Sequence, residues 1–201
     1  MNIINLLIDY DILITYGAVA KKINKDELIY SEGQYPQFYF QVLEGEILEF
    51  SANNEGKILA YNIFTKGESF GEHSLFTNTK YICNTKAIKN SVIIKISKEN
   101  LNNIRNDYAE VNTSFLHKFA ERIYQHEYLR QIWVSHTPEE KIVLFFKFYK
   151  YKQSINQTCI IPFTRKIIAE FTGMRVETVI RTLSDMNKQK KVQIIKQKVY
   201  Y

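Results

Sequence analysis

The glycines divide this chain into a region that can turn often and a region that cannot. Five of the seven glycines fall between residues 33 and 71, namely Gly33, Gly45, Gly56, Gly67 and Gly71. From about residue 20 to 97, short runs rich in Ile, Val, Tyr and Phe alternate with Gly, Asn and Glu turns. This pattern predicts an all-β sandwich or jelly roll in the first half of the chain.

After Ser97 the pattern becomes helical, because the segment from Lys98 to about Val134 contains no Gly or Pro. Its apolar residues recur at steps of 3 and 4, which predicts a helix from about Val111 to Val134, roughly 36 Å long. The stripe consists of Leu116, Phe119, Ile123, His126, Arg130 and Trp133, widened by Phe115 and Leu129. A stripe of this width can meet both the β domain and a second subunit, and an intramolecular core helix is the alternative.

A break follows at residues 135–138, where Thr137 or Ser135 can cap a new helix and Pro138 fits its first turn. Beyond it the chain is basic, since residues 138–201 hold 13 Lys and Arg against 5 Asp and Glu. This balance favours a module that binds a polyanion. A lysine-rich solvated surface is the alternative.

Two short helices are predicted inside this basic region. Thr164 can cap the first, Gly173 suits the turn that follows, and the second carries an apolar face. That face consists of Val179, Leu183 and Met186. The closing runs VQII and KVYY predict a β-hairpin wing, so the whole predicts a winged helix-turn-helix whose second helix enters the DNA major groove.

The second helix carries side chains that can recognise bases. Glu177 can accept a hydrogen bond from cytosine N4, and Arg181, one turn on, can donate two to guanine. Thr164, Arg165 and Thr178 suit phosphates, which position a protein without specifying sequence. A surface salt bridge between Glu177 and Arg181 is the alternative.

The segment FTRKIIAEFTGMRVETVIRTLSDM resembles the T-R, L/I-A, G-x-x-x-E-T-V-x-R pattern of the Crp/Fnr family. Upstream, Gly33, Phe40, Gly45 and GESFGEHSLF resemble that family's cyclic-nucleotide-binding-type jelly roll. The resemblance implies an α+β fold: a β-barrel sensor domain (1–110), a dimerisation helix and hinge (111–136), and a winged helix-turn-helix DNA-binding domain (137–201).

The resemblance also implies a homodimer on a pseudo-palindromic site in double-stranded DNA, with RNA polymerase as a partner. The base-contacting residues it implies are Arg175, Val176, Glu177, Ile180 and Arg181. Ile180 departs from the Fnr-type pattern, which has a small polar residue there, so the outer base preference of that pattern is not carried over to this chain.

The resemblance further implies an effector pocket in the first domain, lined by Gly71, Glu72, His73, Ser74, Lys80, Tyr81 and Ile82. Cyclic-AMP-binding relatives carry an Arg-Ser or Arg-Thr pair where Tyr81 and Ile82 stand. Lys80 is only a point charge on a flexible stem, so the cyclic phosphate lacks its main partner. We therefore expect no cyclic AMP binding, and either an unknown effector or no effector at all.

The sequence gives little support for a metal, for another cofactor or for an enzyme. Cys83 and Cys159 are too few for an iron–sulfur cluster, and the four histidines lack metal spacing, so no metal and no cofactor are predicted. Without paired carboxylates or a nucleophile elbow, no enzyme is predicted.

The N-terminus MNIINLLIDYDILI lacks signal-peptide features and no run of residues is long and apolar enough to span a membrane, which predicts a cytoplasmic protein. A ligand-binding β-barrel protein whose basic module binds a polyanion or an acidic partner is the alternative function.

Overall fold

The computed structural model describes residues 7–201. Residues 1–6, which begin the segment predicted not to be a signal peptide, lie outside the described residues. Two compact units are present. The first unit combines the chain up to Ser51 with Tyr61–Glu121, and the second unit combines Ala52–Ala60 with Arg122–Tyr201. The boundaries predicted after residues 110 and 136 separate a sensor domain, a dimerisation helix with its hinge, and a DNA-binding domain. These boundaries stay a prediction.

The N-terminal half folds into short strands and helices. The strands are β1 (Val19–Ile23), β2 (Leu28–Tyr30), β3 (Phe38–Glu44), β4 (Ile47–Ala52), β5 (Ile58–Phe64), β6 (Ser69–Phe70), β7 (Asn84–Ala87) and β8 (Ser91–Ser97). The helices are α1 (Tyr10–Thr15), α2 (Glu72–Thr77) and α3 (Lys98–Asp107). The predicted change from strands to helices therefore occurs at Ser97, whose side chain caps α3.

The strands form two four-stranded sheets, ordered β1-β8-β3-β6 and β2-β7-β4-β5. One buried cluster draws side chains from both sheets, including Phe40, Ile93 and Phe70 from the first and Tyr30 and Ile47 from the second. The predicted β sandwich is confirmed. A second cluster packs α1, α3 and the start of the next helix against β3 and β8.

The turn between β3 and β4 requires glycine at position 45. Gly45 has φ +96°, and a Cβ there would lie 2.1 Å from Ser91 Oγ and 2.7 Å from Ser91 Cα. We expect Gly45→Ala to lower the free energy of unfolding by more than about 2 kcal/mol, because strain and a backbone clash add together. Gly33→Ala is the matched control, since Gly33 has φ +84° with nothing within 4 Å of the added Cβ. Urea unfolding measures both, and equal losses would contradict the clash.

The long helix α4 spans Ala109–Val134, as predicted to within two residues. Its buried side chains are Val111, Phe115, Gln125, Leu129 and Ile132. The predicted stripe is therefore only partly buried: its edge residues Phe115 and Leu129 are covered, while Leu116 and Ile123 are 69% and 62% exposed. His126 and Arg130 are exposed as well.

The C-terminal region holds α5 (Pro138–Lys152), β9 (Ile160–Ile161), α6 (Arg165–Thr172), α7 (Val176–Lys188), β10 (Gln193–Ile195) and β11 (Lys198–Tyr200). The predicted cap of α5 is confirmed as a capping box, in which Glu140 N–H donates to Thr137 Oγ1 at 3.2 Å and Thr137 N–H donates to Glu140 Oε2 at 3.1 Å. Trp133, near the end of α4, donates from Nε1 to the Phe171 carbonyl at 2.9 Å. This bond ties α4 to α6 within the second unit.

Candidate nucleic-acid interface and effector pocket

The predicted helix-turn-helix is formed by α6 and α7. Thr164 caps α6 by accepting from Ile167 N–H at 3.2 Å, and Gly173 ends it with φ 68°. Left-handed φ at this position lets the chain leave α6 and begin α7 three residues later, which is why glycine was expected there. The predicted inner face of α7 is confirmed, because Val179, Leu183 and Met186 are at most 1% exposed.

The opposite face of α7 projects into solvent at the start of the helix. Arg175 occupies the N-cap position, and Glu177 and Arg181 are exposed one turn apart. Ile180 is 52% exposed beside them, and Val176 is half-buried. Neither Glu177 nor Arg181 has an ion-pair partner among the described residues, so both keep their full hydrogen-bonding capacity. Such a face can present a carboxylate and a guanidinium to adjacent base pairs.

The three residues predicted to contact phosphates differ in their surroundings. Thr164 is exposed at the cap of α6, and Thr178 is half-buried on α7. Arg165 Nη2 donates to the Gln197 carbonyl at 3.2 Å, which connects α6 to the turn of the wing. Partial burial lowers the pKa of the Arg165 guanidinium below its ordinary value. The sequence did not indicate this contact, because Gln197 lies 32 residues further along the chain.

The predicted wing is confirmed as the hairpin of β10 and β11, with β9 added on the far side of β11. Lys196 and Gln197 form its two-residue turn at φ 46° and 65°. The exposed lysines Lys196 and Lys198 stand at this tip, and Arg175 and Arg181 are exposed on α7. The unit therefore exposes cationic groups on both elements that a winged helix-turn-helix uses against DNA.

In the first unit, some of the predicted pocket residues come together and others do not. Glu72 is fully buried and accepts from Ser69 Oγ at 3.0 Å, and Ser74 is 1% exposed. Gly71 begins α2 at φ 76°, and His73 follows Glu72 as a half-buried residue. Lys80 and Ile82 lie at the surface instead, with Lys80 Nζ over the Tyr35 ring.

Tyr81 turns inward between these two surface residues. It is 3% exposed and stacks on Tyr30 with ring centroids 3.6 Å apart and an interplanar angle of 8°. Burial raises the pKa of Tyr81 and raises that of Tyr30 well above its ordinary value, so both phenols stay neutral. The pair packs into the same apolar cluster as Phe40 and Phe70.

A group of three possible metal ligands was not predicted from the sequence. One ligand atom each from Glu49, His73 and Cys83 lies within 4.8 Å of the other two. Glu49 and His73 are 24 positions apart, and Cys83 follows ten positions later. No local spacing could reveal this group, because it depends on the pairing of β4 with β7.

The first domain is similar to a known family of domains. Residues 20–108 match the family described as the cyclic nucleotide-binding domain. An uncharacterized protein of Haemophilus influenzae is 26% identical over 77 residues, which are 38% of this chain and 60% of that protein. The chain thus spans less than two thirds of the curated relative that it matches.

Solved structures are similar over nearly the whole chain. FixK2 from Bradyrhizobium japonicum has a TM-score of 0.76 at 19% identity, covering 90% of this chain and 91% of that one. The c-di-GMP-responsive global regulator CLP of Xanthomonas campestris has a TM-score of 0.79 at 14% identity, covering 94% and 95%. A CRP-family transcriptional regulator from Thermus thermophilus has a TM-score of 0.69 at 14% identity, covering 89% and 90%.

The chain therefore has the fold of the Crp/Fnr transcription regulators: a domain similar to the cyclic nucleotide-binding domain, a long helix and a C-terminal helical domain. The resemblance and the fold class predicted from the sequence are both confirmed. None of the helices between residues 7 and 201 combines the length and hydropathy that a membrane span requires.

Proposed function

We propose that this protein is a non-enzymatic transcription regulator of the cytoplasm that binds a pseudo-palindromic site in double-stranded DNA as a homodimer. The observation that carries the proposal is the exposed start of α7, where Glu177 and Arg181 stand one turn apart without ion-pair partners among the described residues. The fold supports it, since CLP and the Thermus thermophilus protein are both regulators. RNA polymerase is the further partner that the family resemblance implies.

The dimer is supported by the uncovered stripe of α4. Leu116 and Ile123 are seven residues apart, so they lie on one face of the helix about two turns apart. Both are more than 60% exposed, although large aliphatic side chains of this kind are usually buried. A second copy of α4 on this face would bury both stripes.

The test is selection of the purified protein against random duplexes at near-physiological salt. A two-fold sequence with G·C pairs at matching positions in each half supports a sequence-specific dimer. Retention of duplexes that share no sequence would instead support the alternative, a basic module that binds polyanions through charge alone.

We further propose that the β domain does not take a cyclic nucleotide. The support is the inward-facing Tyr81, which stacks on Tyr30, while the flanking Lys80 and Ile82 are exposed. A cyclic phosphate held in this segment would meet a neutral phenol and no guanidinium, because residues 79–84 contain no arginine.

Cyclic AMP and cyclic GMP are therefore expected to leave the midpoint of thermal unfolding unchanged. A ligand present at 100 times its Kd would stabilise the protein by about 2.7 kcal/mol, a clearly measurable shift. Thermal scans with each nucleotide at millimolar concentration make the comparison, with adenosine monophosphate as the non-cyclic control. A rise specific to a cyclic nucleotide would contradict the proposal.

A further inference from the structure

We propose that Glu49, His73 and Cys83 form a binding site for a thiophilic divalent cation, with Zn²⁺ as the best match. The proposal is independent of DNA binding, because it rests on the first unit alone. It replaces the expectation of no metal, which was drawn only from spacing along the chain.

Strand pairing brings two of the three residues together. β4 and β7 run antiparallel with Glu49 opposite Thr85 and Phe50 opposite Asn84, so Cys83 lies just beyond the end of this ladder. His73 approaches from the first turn of α2. One ligand atom from each then lies within 4.8 Å of the other two.

The donor set is one that Zn²⁺ prefers. Thiolate, imidazole and carboxylate are its usual ligands, at roughly 2.0 to 2.3 Å, and a tetrahedral ion therefore holds its ligands about 3.3 to 3.7 Å apart. Side-chain movements of about 1 Å would close the observed group around an ion. Three protein ligands leave a fourth position for water or a small ligand.

The charges also balance. Glu49 is 6% exposed and Cys83 3% exposed, and the thiol donates to Glu49 Oε1 at 3.4 Å. No Lys or Arg among the described residues forms an ion pair with Glu49, so its buried carboxylate lacks a cation. A carboxylate and a thiolate would together neutralise a divalent cation, and a neutral histidine would complete the set.

The thiol is held protonated in the absence of such an ion. Burial raises the pKa of Cys83, and the charge of Glu49 raises it further. A coordinated metal reverses this effect, because it deprotonates a ligating thiol outright.

A buried hydroxyl beside the group lacks a partner. Thr85 is fully buried, and its Oγ1 has no hydrogen bond within the described part of the chain. Thr85 is directly opposite Glu49, and cross-strand partners project from the same side of a sheet. Its hydroxyl is thus on the side where a water in the fourth position, or the free oxygen of Glu49, can bond to it.

Titration of the reduced, metal-free full-length protein with Co²⁺ tests the site. We expect one Co²⁺ per chain, a thiolate-to-cobalt charge-transfer band, tetrahedral ligand-field absorption and displacement of both signals by Zn²⁺. No charge-transfer band, or a band that Zn²⁺ does not remove, would overturn the proposal.

Substitutions assign the ligands. Cys83→Ala should abolish the band, and His73→Ala, at a half-buried position, should weaken Co²⁺ binding at least about 100-fold. Cys159→Ala is the matched control, because Cys159 is the other free cysteine and lies outside the group. The far-ultraviolet circular dichroism of each metal-free variant checks its fold. Loss of the band in Cys159→Ala, or normal Co²⁺ binding by folded His73→Ala, would contradict the assignment.

Discussion

The double variant Leu116→Glu, Ile123→Glu is expected to be monomeric and to bind the selected two-fold site roughly 100- to 10,000-fold more weakly than the wild-type protein. The two side chains are 69% and 62% exposed on one face of α4. Four carboxylates across the proposed dimer would repel one another and would be costly to bury. Each monomer would then bind its half-site separately, without the gain in effective concentration that a dimer provides. Sedimentation equilibrium and duplex binding at fixed salt measure the two effects.

Val19→Glu, Leu28→Glu is the matched control for this variant. Both residues are exposed aliphatic side chains, 53% and 50%, on β1 and β2 rather than on α4. The control introduces the same charges without touching the proposed interface, so it should remain dimeric and bind DNA normally. A dimeric Leu116→Glu, Ile123→Glu variant would place the subunit interface elsewhere.

Glu177→Ala is expected to reduce discrimination at one base pair of each half-site by about 1–3 kcal/mol, or roughly 5- to 150-fold. The carboxylate is exposed on α7 without an ion-pair partner among the described residues, so its removal leaves the helix intact. Affinity for the preferred duplex should fall, while affinity for duplexes altered at that pair should change little. Competition with duplexes that vary each position singly measures this difference.

Arg165→Ala provides the contrast for Glu177→Ala. Arg165 lies on α6 and donates to the Gln197 carbonyl of the wing. Its proposed contact is a phosphate, so the variant should weaken all duplexes by similar factors and reduce the salt dependence of binding. Equal losses on selected and scrambled duplexes for Glu177→Ala would show that its carboxylate does not read a base.

The parts of the fold that depend on local chemistry were predictable from the sequence. The capping box at Thr137, the left-handed turn at Gly173 and the apolar face of α7 each follow from residues within one or two helical turns. The β region was predictable for the same reason, because alternating runs and glycine turns are local signals.

The parts that depend on distant pairing were not predictable in the same way. The periodicity of α4 predicted a stripe but not which edge of it would be covered, since that depends on what packs against the helix. The group of Glu49, His73 and Cys83 depends on the register of β4 against β7 and on the position of α2. Likewise, nothing near Tyr81 in the sequence indicated that its ring would stack on Tyr30.

The bond from Trp133 to the Phe171 carbonyl gives this protein a built-in optical reporter. Trp133 is the chain's single tryptophan, and its indole N–H donates a hydrogen bond to a carbonyl in the last turn of α6, the first helix of the helix-turn-helix. Indole emission shifts when this hydrogen bond is exchanged for water. Fluorescence at tryptophan wavelengths would therefore follow any displacement of α6 from α4 without a label, as metal or duplex is added.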